Sequence, residues 1–165
     1  MKRVLLATLL CVASASASAA DDPGAIAKSV GEKFAAACGA ANVDAVLALY
    51  RADARVVYPG AGETATNPGE LRAMVKDTCV KGGPQFKLLG YRAVWADDAH
   101  TVVAALGDWS VVSTGPDGRS MSTPVRATEV LVKTKAGWRY VVDHASVGIP
   151  SDNPPPSGSP PPPPK

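Results

Sequence analysis

The chain has 165 residues, 46% of them hydrophobic, and a formal charge of +2, which suits one domain with a core of its own. Without Lys2 and Arg3, which belong to the leader described next, 15 basic residues face 15 acidic ones. No basic stripe is left to follow a phosphate backbone, so nucleic acid is excluded as the expected partner.

The first twenty residues, "MKRVLLATLLCVASASASAA", have a basic start, an apolar run from Val4 to Ala13 and a tail of small residues. That is the layout of a secretory signal peptide spanning 1–20. Ser18-Ala19-Ala20 before Asp21 fits the cleavage rule best. The apolar run is too short for a permanent bilayer span, and Leu10 before Cys11 departs from a lipoprotein signal. The product is expected to be exported, periplasmic or secreted, and free of the membrane after cleavage.

Asp22 as N-cap and Pro23 at the first helical position open a helix with Ile26, Val30, Phe34 and Cys38 on one stripe, ended by Gly39. Asn42 caps a shorter helix bearing Val43, Val46, Leu47 and Tyr50, and Arg55 to Pro59 reads as a first strand before the loop "GAGETAT". Asn67-Pro68-Gly69-Glu70 has the form of a capping box. The helix it opens carries Leu71, Met74, Val75 and Cys79, and Gly82-Gly83-Pro84 stops it. Four β segments follow, Gln85–Trp95, Thr101–Thr114, Ser120–Lys133 and Trp138–Val147, joined by turn-type links. Residues 151–165, "SDNPPPSGSPPPPPK", form a proline-rich tail expected to be extended and solvated. With Cys11 removed, Cys38 and Cys79 remain, and two cysteines in an exported chain most simply form a disulfide. No histidine lies near either in sequence, so no metal site and no cofactor are expected.

Helices first and a long antiparallel sheet after make an α+β domain. "AANVDAVLALYRADARVVYPG" resembles the helix-turn-strand opening of SnoaL-like proteins, and "VRATEVLVKTKAGWRYVVDHAS" resembles their last hairpin. The resemblance implies the cone-shaped nuclear transport factor 2-like fold over residues 21–150, with N-terminal helices packed on a curved, mainly antiparallel sheet. The end of the chain is also similar to the association (hub) domain of calcium/calmodulin-dependent protein kinase type II. Both imply a homodimer or a higher homo-oligomer. The fold hosts isomerases, cyclases, hydrolases and pure binding modules, so it does not fix a function.

The last hairpin carries the candidate site. A type I turn at Lys135-Ala136 with Gly137 in a bulge would pair Thr134 with Trp138 and Thr128 with His144. Alternation then gives one face to Arg126, Thr128, Val130, Val132, Trp138, Tyr140, Val142 and His144. Being the more apolar face, it is expected to form the concave wall of the cone. The other face, with Glu129, Lys133, Arg139 and Asp143, is expected outside. In ketosteroid isomerases of this fold the general-base aspartate stands where Tyr58 stands here, and their second acid would fall near Thr128, so that carboxylate pair is not expected. The chain is therefore expected to bind a small polar or anionic molecule. Arg126 would be the anchor, His144, Tyr58 and Thr128 hydrogen-bonding partners, and Trp95, Trp109 and Tyr140 the wall. The alternatives are an isomerase-, cyclase- or lyase-like enzyme with His144 as catalytic acid/base, and a hub-like assembly module.

Overall fold

The computed structural model describes residues 22–59, 64–81, 83–115 and 117–147, so the expected signal peptide and proline-rich tail lie outside the described residues. Helix α1, Pro23–Gly39, starts where the Asp22 carboxylate accepts from the backbone N–H groups of Gly24 and Ala25. Its stripe of Ile26, Val30, Phe34 and Cys38 is buried, with Ala27 beside it. Helix α2, Val43–Leu47, is capped by Asn42, and β1, Tyr50–Val57, follows at once. That strand starts earlier than its apolar residues alone suggest, because it pairs in parallel with the last strand.

After β2, Thr64–Ala65, helix α3 spans Pro68–Val75. Asn67 accepts from Gly69 and Glu70, while the Glu70 carboxylate takes the N–H and hydroxyl of Thr66, one residue earlier than in a standard capping box. The helix does not simply run to the glycines. It widens into a π-helical turn, Lys76–Lys81, which carries Cys79. A disulfide joins Cys38 to Cys79 and ties that turn to the end of α1.

The long strands are β3 (Gln85–Trp95), β4 (Val102–Thr114), β5 (Ser120–Thr134) and β6 (Gly137–Val147), and the six strands form one sheet in the order β2-β1-β6-β5-β4-β3. The helices cover one face, where Val103, Ala105, Trp109, Val125, Ala127, Leu131 and Tyr140 are buried. The other face is open, with Val94, Leu106 and Val142 exposed.

The final hairpin departs from the expected arrangement in one decisive way. Thr134 pairs with Gly137 across a two-residue turn, and Leu131 pairs with Tyr140. A bulge at Val141 then restores Val130 to Val142, Glu129 to Asp143 and Thr128 to His144. One extra residue breaks the alternation within β6, so Tyr140 and Asp143 share a face although they are three apart. The covered face of β5 is Val125, Ala127, Glu129 and Leu131. Arg126, Thr128 and His144 lie exposed on the open face. The expectation had Arg126, Thr128 and His144 inside and Glu129 and Asp143 outside, and the structure reverses these, while Tyr140 faces inward as expected.

Candidate functional site

Between the helices and the covered face lies a cavity of about 250 Å³. Cross-strand register orders its wall from rim to floor. Val125 lies opposite Val147, Ala127 opposite Ala145, and Glu129 opposite Asp143. Phe34 of α1, Phe86 of β3 and Trp109 of β4 form the apolar side, and Tyr58, Thr78 and Pro84 are among the other lining residues. Phe34 is the hub of this side, meeting Tyr58, Phe86 and Trp109 edge to face with ring centroids 5.3–6.4 Å apart.

The floor is polar. Glu129 and Asp143 are the buried charged residues of the described chain, at 3% and 6% exposure. All four tyrosines of the sequence gather around them. The Tyr50 hydroxyl donates to Asp143 Oδ2 at 2.6 Å, and the Tyr91 hydroxyl donates to Glu129 Oε1 at 3.0 Å. Tyr50 and Tyr58 hydroxyls are 2.9 Å apart. Tyr50 has one proton and gives it to Asp143, so Tyr58 is the donor in that contact. Tyr140 lies against Tyr50, ring centroids 5.0 Å apart.

Room for Tyr91 comes from two glycines. A Cβ at Gly31 would stand 2.6 Å from the Tyr91 hydroxyl oxygen, and one at Gly107 would stand 2.8 Å from its ring. A glycine inside a helix lowers its stability, and at Gly31 the gain is space for the hydroxyl that holds Glu129.

One atom is left over. Glu129 Oε2 is buried with no hydrogen-bond partner among the described residues. Burial, together with the negative charge of Asp143, pushes the Glu129 carboxyl well above the ordinary range. Burial raises Asp143 too, while the Tyr50 bond and the nearby His144 pull it back. The tyrosine hydroxyls stay protonated, since burial raises each of them.

Of the residues singled out from sequence, Tyr58, Trp109 and Tyr140 line this cavity. Arg126, Thr128 and His144 do not, being on the opposite face. Trp95 lies elsewhere, stacked on His100 at 4.5 Å and leaning on Trp138. Asp108 also faces outward and pairs with Arg92. Glu129 and Asp143 were missed as site residues. Their signal was present in the sequence as a like-charge pair directly opposed across the hairpin, which needs outside compensation.

Residues 27–150 match the sequence profile of the SnoaL-like domain. The chain belongs to that family. Solved structures share its fold at low identity. A calcium/calmodulin dependent protein kinase II association domain protein from Xanthomonas campestris superposes with a TM-score of 0.67 at 18% identity, over 76% of this SnoaL-like chain and 86% of its own. A protein described as a dehydratase of the NTF2-like family, from Streptomyces avermitilis, gives 0.66 at 17%, over 75% and 95%. One described as a scytalone dehydratase, from Novosphingobium aromaticivorans, gives 0.66 at 10%, over 75% and 83%. No curated protein matches the sequence.

Proposed function

We propose that this SnoaL-like domain binds a small, predominantly apolar molecule in the cavity, with the molecule's polar group on the Glu129–Asp143 floor. The observation that carries the reading is Glu129 Oε2, a buried carboxyl oxygen that lacks a partner and borders an apolar space. A buried polar atom left unpaired costs on the order of 1–3 kcal/mol, which a bound hydrogen-bonding group would remove. The volume is just below the range of about 300–1,000 Å³ common for ligand sites, so the ligand is the size of a single ring with a short substituent. A small anion is disfavoured, because among the described residues the lining holds two acids and no Lys, Arg or His.

The test is a titration with one-ring probes followed by the fluorescence of Trp109. Ala145→Phe, which places a ring in the cavity beside Ala127, should abolish binding. Arg126→Ala should leave it unchanged. Loss of binding in Arg126→Ala with retention in Ala145→Phe would put the site on the other face.

A second reading, proton transfer to or from the bound molecule, is favoured by the same pair, since two acids with raised affinity for protons suit acid/base chemistry near neutral pH. The dehydratase names of two fold relatives agree with it. Glu129 and Asp143, not His144, would then be the acid/base groups. Glu129→Gln should in that case bind and not turn over. Export to an oxidising compartment belongs to the same proposal, supported by residues 1–20 and the Cys38–Cys79 bridge. Self-association through the open face of the sheet is supported by its exposed Val94, Leu106 and Val142.

A further inference from the structure

We infer that the ligand is an organic cation, an amine or quaternary ammonium on a body of about one ring, with its charge against the Glu129–Asp143 carboxyls and its substituents against the aromatic wall. This rests on the ligand-binding reading and names the class of that ligand. The two acids face each other across adjacent strands, and the described residues of the lining supply no cation to separate them. Arg126 and His144, their sequence neighbours, are turned to the far face. Glu129, at 3% exposure, keeps Oε2 unpartnered. Asp143 uses Oδ2 for Tyr50.

The wall suits the same class. Both phenylalanines of the sequence, with Tyr58, Trp109 and Tyr140, enclose the space above the floor. Aromatic rings attract an organic cation through their negative faces, an attraction that aliphatic walls would lack. A neutral ligand would leave the pair dependent on a bound proton, and an anion would add negative charge beside it. A metal ion is a poor fit, because the described residues contain no group of three His, Cys, Asp or Glu able to hold one, and hard cations want six or more oxygens.

In the empty cavity a proton does what the cation would do, which agrees with the upward shift of both acids. Binding a permanent cation should therefore release protons. The groups facing the pair are Tyr91 from β3, Tyr50 from β1, Tyr58 just after β1, and Tyr140 from β6, with His144 next in chain on the opposite face. The tyrosines stay protonated, so the released proton comes from the carboxyls.

Calorimetry on the disulfide-bonded protein with benzyltrimethylammonium, benzyl alcohol and benzoate tests this. The ammonium should bind about ten-fold or more tighter than the alcohol, the scale of cation–π and charge-assisted contacts together. Its affinity should rise with pH through neutrality while that of the alcohol stays flat. Glu129→Gln, whose amide oxygen can still accept from Tyr91, should remove the preference for the ammonium over the alcohol. Asp143→Asn should do the same. Equal affinity for ammonium and alcohol, or tightest binding of benzoate, would overturn the cation inference and leave the cavity as the binding site. Binding of none of the three would remove both readings. A preference for ammonium that survives both substitutions would show that the carboxyls do not read the charge.

Discussion

Tyr50 and Glu129 show how single side chains set the chemistry of the cavity. Tyr50 gives its only proton to Asp143 and accepts from Tyr58, and so fixes the direction of a three-residue chain. Glu129 receives one hydrogen bond, from Tyr91, and burial together with the charge of Asp143 outweighs it, raising the carboxyl to about 8. The folded protein therefore binds protons that the unfolded chain gives up above the ordinary glutamate value. The sign follows from that excess. Stability from this group is fully present below the unfolded value and is lost as pH rises through the folded value, about 8. Glu129→Gln, which has no proton to lose, should flatten this decline. Thermal melts from pH 5 to pH 9 should show the variant overtaking the native protein at the alkaline end. Parallel curves would mean that Glu129 is ionised in the fold.

At the scale of elements, the bulge in β6 and the π-helical turn after α3 decide which residues meet. A strand of strict alternation would set Tyr140 and Asp143 on opposite faces. Val141 as an extra residue puts both under the helices. The π-helical turn brings Thr78 to the cavity and Cys79 to Cys38. The two cysteines are 41 positions apart in sequence, and closing a loop of that length restricts the unfolded chain by about 4 kcal/mol on the chain-entropy model. Replacing both by alanine should lower the urea midpoint accordingly. Protein recovered from its natural source under non-reducing conditions should show no free thiol. Two titratable thiols there would count against both the bridge and the exported location.

For the whole molecule, the sheet separates two surfaces of different use. Its covered face holds the core and the cavity. On the open face Val94, Leu106 and Val142 are 38–63% exposed, near the Arg92–Asp108 ion pair. Apolar residues grouped on one sheet face with a polar border suit a second copy of the same chain, related by a two-fold axis. Leu106→Lys should then shift the sedimentation of a dimer to that of a monomer while leaving one-ring probes bound in the cavity. A wild-type chain that sediments as a monomer at high concentration would remove this proposal.

The order of elements, three capped helices before four long strands, follows from local signals. Asp22, Asn42 and Asn67 announce their helices through hydrogen bonds within a few residues, and the bounds of β3 follow from composition and turns alone. The pairing of Cys38 with Cys79 also follows from the sequence, because few cysteines leave few choices. Which face of the last hairpin turns inward was decided only by tertiary structure. Val130, Val132 and Val142 make the Arg126–His144 face the more apolar of the two, and apolarity is a sound guide where burial is the only force at work. Here Tyr50 and Tyr91, distant in sequence from the hairpin, supply the hydrogen bonds that let Glu129 and Asp143 be buried instead. No local pattern can announce partners that come from other strands, nor a one-residue bulge whose effect is to reverse a face.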